Sequence, residues 1–158
     1  MDDTVRMTGV LDPREGWEAT RCSIARALDV VSTRTAFLLL REAFYGATRF
    51  DDFVARAGAS EPATAARLRE LVEAGLLLKE PYKEPGERTR QRYRLTDKGH
   101  ELLPVLVALM QWGDRWEQEE AGPVRLRHAD CGATIHAELR CEAGHTVGRG
   151  ELELAVNR

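Results

Sequence analysis

The chain has 158 residues, of which 43% are hydrophobic and 31% charged, and its formal net charge is −3. This length and composition are typical of one globular domain, or of one domain with a small appendage, and they exclude a disordered, fibrous or globally basic protein. No apolar run approaches the roughly 18 residues of a membrane span, and the N-terminus lacks the features of a secretory signal. Three cysteines indicate a reducing compartment. We therefore expect a cytoplasmic protein, in which any nucleic-acid contact is made by a local basic patch.

Residues 1–20 are polar and are predicted to form an N-terminal arm. Four amphipathic helices follow, over about residues 22–31, 33–45, 49–57 and 60–74, because their apolar residues recur at helical spacing. Ser32 or Thr33 is expected to cap the second helix, and Ser60 the fourth. The order of the helices favours a helix-turn-helix.

The hydrophobic period changes after residue 75. Strands are predicted at 76–82 and 90–95 around a turn at Glu84–Glu87, followed by a long helix over 97–119 that Pro104 kinks or breaks. Beyond Gly122-Pro123, short strands are predicted at 124–128, 135–140 and 151–156. The expected fold is mainly α with a small β-wing: a winged helix-turn-helix over 21–120, with a β-rich appendage over 123–158.

The predicted wing carries an arginine at every second position from residue 88 to residue 94. Alternate residues of a strand share a face, and arginine suits both phosphates and a narrow minor groove. The alternative is a solvated hairpin in which these arginines pair with Glu80, Glu84 and Glu87. Behind a helix-turn-helix, we favour contact between residues 79–95 and DNA.

The helix over 60–74 is the predicted recognition helix. With Ala65, Leu68, Leu71 and Val72 inward, its outward N-terminal half is small and nearly uncharged. Small side chains let a helix N-terminus approach phosphates. Thr64 and Arg67 are expected to reach base edges. Pairing of Arg67 with Glu70 or Glu73 along the helix is the alternative.

Several motifs between residues 20 and 116 occur in a recognisable order. They are Cys22–Val31, Leu38–Glu42, Thr48–Phe50, Ala66–Leu71, Glu73–Leu77, Tyr93–Thr96 and Leu103–Leu106. Together they resemble the HxlR-type transcriptional regulators, winged helix-turn-helix relatives of the MarR group. The resemblance implies a homodimer on a pseudo-palindromic operator, with the helix 60–74 in the major groove and the wing on the minor groove or backbone. The chain departs from the family pattern at Thr33-Arg34 and at Ser60-Glu61-Pro62.

The sequence therefore predicts a sequence-specific DNA-binding regulator with double-stranded DNA and a second copy of itself as partners, and no membrane. No enzyme is expected, since the chain has no P-loop, dinucleotide turn or metalloprotease helix. The alternative is a winged-helix protein–protein module with little DNA binding, favoured by the net negative charge. The residues predicted to contact DNA are Arg49, Ser60, Pro62, Ala63, Thr64, Arg67, Arg69, Arg88, Arg90 and Arg92.

Cys22 is a candidate redox sensor. It stands at the predicted start of the first helix beside Arg21 and Arg26, an environment that favours the reactive thiolate. Some members of the resembled family sense oxidants or electrophiles through this cysteine. The alternative is a small packing residue, since free cysteine is often buried.

The appendage contains weak candidate zinc ligands with paired spacings: His128, Cys131, Cys141 and His145. Two thiols and two imidazoles satisfy tetrahedral zinc, and the pattern resembles a worn zinc ribbon. The alternative is a hairpin without metal. No other cofactor is expected.

Overall fold

The computed structural model describes residues 5–11, 22–31, 33–120, 122–148 and 150–156. The chain divides into two compact units, one of residues 23–110 and the other of residues 1–22 with 111–158. The sequence had placed the boundaries at residue 20 and at Gly122-Pro123. The structural division instead groups the end of the last long helix with the appendage. Residues 1–4 and 12–20 of the predicted arm lie outside the described part.

The fold is mainly α with a small β-wing, as predicted. In chain order the elements are β1 (Arg6–Met7), α1 (Ser23–Val31), α2 (Arg34–Phe44), α3 (Phe50–Ala57), α4 (Glu61–Glu73), β2 (Leu77–Tyr82), β3 (Arg90–Leu95), α5 (Asp97–His100), α6 (Leu103–Trp116) and β4 (Glu153–Leu154). None of the described helices is long and apolar enough to cross a membrane.

The helix starts follow local capping chemistry. The Thr33 hydroxyl accepts a hydrogen bond from Ala36 N–H at 3.1 Å, and the Ser60 hydroxyl accepts one from Ala63 N–H at 3.4 Å. Ser32, the other candidate cap of α2, lies outside the described residues. Between α3 and α4, Gly58 has φ +64°, a left-handed conformation that glycine adopts without strain. These local features set the turn of the helix-turn-helix.

The helix predicted over 97–119 is two helices, α5 and α6, and the second ends at Trp116. Pro104 lies in the first turn of α6, where its missing N–H costs little. The helix therefore breaks just before Pro104, as predicted. Gly99 in α5 lies so close to the backbone at Leu76 that a Cβ on residue 99 would overlap the Leu76 carbonyl oxygen.

The core of the 23–110 unit lies between α2, α3, α4 and the wing. Its largest fully buried apolar side chains are Leu39, Leu40, Phe53, Leu68, Leu71 and Leu77. Burying each such side chain contributes roughly 1.5–3 kcal/mol. From the start of α6, Leu106 packs against this cluster with part of its surface. The core fixes which face of α4 is turned to solvent.

The wing is an antiparallel pair in which Leu77 lies opposite Leu95 and Tyr82 opposite Arg90. The segment before α3 joins it, since Tyr93 N–H donates to the Thr48 carbonyl at 2.8 Å. Paired residues of an antiparallel sheet share a face. Leu77, Tyr93 and Leu95 therefore face the core. The opposite face of the sheet carries Arg90, Arg92 and Arg94 of β3.

The second unit departs from the three strands predicted for the appendage. Among the described residues, only β4 is a strand there, and it pairs in parallel with β1, which the sequence had not predicted. The remaining pairing consists of single bridges, Arg127 with Thr134 and Arg140 with Thr146. Almost every described residue from 123 to 156 is exposed. Without a buried face, regular strands gain little stability.

Candidate nucleic-acid interface

Helix α4 turns one face inward through residues 64, 68 and 71, which follow the i, i+4, i+7 spacing of a single helical stripe. The opposite face carries exposed Pro62, Ala66, Arg69 and Glu73. Ser60 and Ala63, at the helix start, are exposed as well. The N-terminal half of the exposed face therefore carries small side chains, as predicted.

Thr64 is buried and does not face DNA. The sequence pattern predicted that it reaches base edges, but Thr64 is 0% exposed and lies on the same buried stripe as Leu68 and Leu71. The cause is the rotation of α4 about its axis, which places residue 64 at the centre of the buried stripe. Its hydroxyl has no hydrogen-bond partner within the described part of the chain. Thr64 is thus a core residue in this structure.

Arg67 and Arg69 were both predicted to contact DNA, and the structure places them in different surroundings. The Arg67 side chain is 29% exposed and pairs with Glu70, which is the alternative weighed for it. Arg69 is exposed on the outward face, and within the described ranges no carboxylate pairs with it. Burial raises the pKa of Tyr93 above its ordinary value of 10.0, and the charge of Arg69 acts in the opposite direction.

The strand arginines of the wing are ion-paired. Arg92 Nε donates to Glu80 Oε1 at 2.6 Å, and Arg94 Nη1 lies 3.6 Å from the same oxygen. Arg90 lies 3.4 Å from Glu87. The pairing with carboxylates, which was the alternative for this hairpin, is thus the arrangement in the structure. These pairs are half-exposed, so each is weak and can be displaced.

Arg49 is held against the first strand of the wing. Its guanidinium lies 5.5 Å from the centre of the Tyr82 ring and pairs with Glu84, and its backbone forms a bridge with Arg92. The sequence pattern did not indicate Tyr82 as a member of this surface. Counting the strand register outward from the turn at Glu84–Glu87 places Tyr82 on the arginine face.

Arg88 occupies the loop between the strands. It is exposed, and no carboxylate lies within ion-pair distance of it in the part of the chain that the structure describes. Of the arginines predicted to contact DNA, Arg69 on α4 and Arg88 at the wing tip therefore have no carboxylate partner in the described part of the chain. The other arginines predicted to contact DNA have carboxylate partners.

Cys22 is half-buried and immediately precedes α1, whose first residue is Ser23. Arg21, one of the two arginines expected beside it, lies outside the described residues. Its thiol is free. The structure thus places Cys22 at the helix start that the sequence predicted.

The candidate zinc ligands lie on two separate turns of the second unit. His128 Nδ1 accepts from Cys131 N–H at 3.4 Å, and Cys141 N–H donates to the His145 carbonyl at 3.0 Å. Among residues 5–11, 22–31, 33–120, 122–148 and 150–156, no three His, Cys, Asp or Glu side chains are grouped closely enough to hold a metal. Zinc binding stays a prediction of the sequence.

A helix-turn-helix with an exposed small-residue face, next to a wing rich in arginine, defines a winged helix-turn-helix protein of the class that regulates transcription. Residues 30–121 match the HxlR-like helix-turn-helix family. The chain belongs to this family, which confirms the resemblance seen in the sequence. Its relatives are transcriptional regulators, so the protein is a regulator and not an enzyme.

The similarity extends beyond the family domain. The chain is 42% identical over 120 residues to the HTH-type transcriptional regulator Rv3095 of Mycobacterium tuberculosis, covering 75% of each chain. It resembles the crystal structure of PA1607, described as a transcription factor, with a TM-score of 0.77 and 35% identity, covering 88% of this chain and 97% of that one. The oxidised form of the redox regulator HypR is 25% identical, with a TM-score of 0.54 over 60% of this chain and 96% of HypR.

Proposed function

We propose that the protein is a sequence-specific DNA-binding regulator that acts as a homodimer on a pseudo-palindromic operator. Helix α4 enters the major groove, and the wing over residues 79–95 contacts the minor groove or backbone. The observation that carries this proposal is the outward face of α4. Its first turns offer small side chains, and Arg69 projects from the same face without a carboxylate partner in the described ranges.

The division of labour between helix and wing follows from these side chains. Pro62, Ala63 and Ala66 allow α4 to lie close to the groove floor, since none of them extends beyond a few atoms. Arg69 is long enough for a bidentate contact with guanine. Arg88, at the end of the hairpin, has the reach and charge to enter a narrow minor groove.

A second copy of the chain is the proposed partner of the exposed apolar residues on two helices. On α1, Ile24 is 72% exposed and Leu28 48% exposed. On α6, Val105 and Leu109 are about half-exposed, and Trp112 and Trp116 continue their i+4, i+7, i+11 spacing. Apolar faces of this kind mark interaction surfaces. A two-fold dimer also matches the symmetry of a palindromic operator.

The protein–protein module remains the second candidate function. The observation in its favour is that Glu70, Glu80, Glu84 and Glu87 pair with arginines of the predicted interface. A surface whose cations are neutralised internally has less attraction for phosphate. Under this proposal the exposed face of α4 contacts a protein rather than DNA.

Selection of bound duplexes from a random-sequence library, combined with sedimentation of the full chain, tests the two candidates. A regulator enriches an inverted repeat with half-sites about one helical turn apart, and the complex contains two chains. Leu109→Glu, which places a charge on the exposed face of α6, is expected to abolish the dimer. Enrichment of no sequence, with binding that does not fall as salt rises, supports the protein–protein module instead.

For Cys22 we propose a regulatory role: oxidation of its thiol changes DNA affinity. The proposal is supported by the position of Cys22 directly before α1 and by the similarity to the redox regulator HypR. Peroxide converts an accessible thiolate to a sulfenic acid, which thiols reduce again. Operator affinity is expected to respond reversibly to peroxide in the wild type and not in Cys22→Ser. An equal response in both proteins contradicts the role.

A further inference from the structure

One carboxylate lies among the arginines on the solvent face of the wing. Glu80 of β2 is the register partner of Arg92 in β3. Its Oε1 accepts a hydrogen bond from Arg92 Nε at 2.6 Å and lies 3.6 Å from Arg94 Nη1. The backbone of Arg92 also forms an isolated antiparallel β-bridge with Arg49. A single carboxylate therefore holds two guanidinium groups that point to the same face.

This arrangement affects any phosphate that approaches the wing. The phosphate must displace Glu80 from Arg92 or Arg94, and the carboxylate also repels it. The side chains of Arg92 and Glu80 are 42% and 31% exposed, so solvent screens the pair. Such a pair changes an equilibrium constant by about fivefold at most. Glu80 can thus weaken phosphate contact without blocking it.

Sequence-independent binding is the mode most sensitive to this competition. It arises almost entirely from neutralising phosphates with basic side chains. Base contacts from α4 lie on another element and do not involve Glu80. Arg88 differs from Arg92 and Arg94 because it has no ion pair in the described part of the chain. The wing therefore contains a free cation at its tip and restrained cations on its strands.

We propose that Glu80 restrains sequence-independent DNA binding by the wing, because it keeps Arg92 and Arg94 paired when no DNA is bound. This inference rests on the proposed DNA-binding function. It makes Glu80 a positioning residue, which acts on DNA through the two arginines rather than by contact of its own.

The test is Glu80→Gln, which keeps the shape of the side chain and removes its charge. Affinity for a random duplex and for the selected operator is measured over a range of salt concentrations. Random-duplex affinity is expected to rise about 2- to 5-fold at low salt, with a steeper dependence of log affinity on log salt by about one unit for each phosphate gained. The operator gains no more than the random duplex. Glu101→Gln is the matched control, because it removes the same charge from an exposed carboxylate that has no ion pair among the described residues.

A double-mutant cycle shows whether Glu80 acts through Arg92. In an Arg92→Ala background, the gain from Glu80→Gln is expected to fall to less than half. The proposal is wrong if Glu80→Gln keeps the urea midpoint of wild type and binds the random duplex no more tightly than wild type or Glu101→Gln does. If the wild type itself binds no duplex at low salt, the proposed function fails, and the inference fails with it.

Discussion

The buried hydroxyl of Thr64 provides a test of how α4 is seated in the core. Thr64 is fully buried, and its Oγ1 has no partner in the described part of the chain. Thr64→Val replaces this hydroxyl with a methyl group of nearly the same size and keeps the branched side chain. Leaving a buried hydroxyl unpaired costs about 1–3 kcal/mol in proteins. The substitution is therefore expected to stabilise the fold by about 1–2 kcal/mol.

Thr96→Val is the matched control with the opposite expected sign. The Thr96 hydroxyl donates to the Gly75 carbonyl at 2.6 Å and accepts from Gly99 N–H at 3.1 Å, so it caps α5. Removing a cap of this kind costs about 1–2 kcal/mol. The same chemical change thus raises stability at one threonine and lowers it at the other, which excludes a general effect of added apolar surface.

Both variants are compared with wild type by urea midpoint and by thermal unfolding followed by circular dichroism. One kcal/mol shifts the Tm by roughly 2–4 °C in a chain of this length. Protein concentration is held constant, because dimer formation makes Tm depend on it. Thr64→Ala separates the lost hydroxyl from the lost methyl. A Thr64→Val protein less stable than wild type refutes the reasoning, since the hydroxyl must then have a partner in the folded state.

Three other substitutions have defined outcomes. Arg69→Ala is expected to weaken operator binding by about 1–3 kcal/mol and relax preference at one base pair per half-site, while Arg67→Ala has the smaller effect; the reverse order in titrations contradicts the observed rotation of α4. Gly99→Ala is expected to lower the free energy of unfolding by about 1–3 kcal/mol, measured by urea titration, because the new methyl meets the Leu76 carbonyl. Unchanged stability means that the two segments are further apart. Burial raises the pKa of Tyr93, so the folded state keeps this proton longer than the unfolded state, and the resulting stability is present below about pH 10 and lost as pH rises through the folded-state pKa. Tyr93→Phe is expected to reduce the alkaline fall in urea midpoint, and an equal fall in both proteins counts against burial as the cause.

The sequence by itself determined the local elements and the family. Helical spacing, Ser60 as a cap and the glycine at 58 predict α3 and α4 nearly to the residue, because these signals act within one or two turns of chain. The arginine alternation likewise predicts β3 within the span observed. The motifs spread over residues 20–116 identified the regulator class without any structural information.

The tertiary structure alone decided how these elements face one another. The apolar pattern of α4 placed Leu68 and Leu71 inward but did not indicate Thr64, and packing against α2 and α3 turned Thr64 inward and Arg69 outward. The partner of each wing arginine depends on a register set by pairing with β2. The pairing of β1 with β4 joins residues about 147 positions apart, a separation over which no local pattern carries information. Each of these outcomes depends on long-range contacts, which stabilise only the assembled chain.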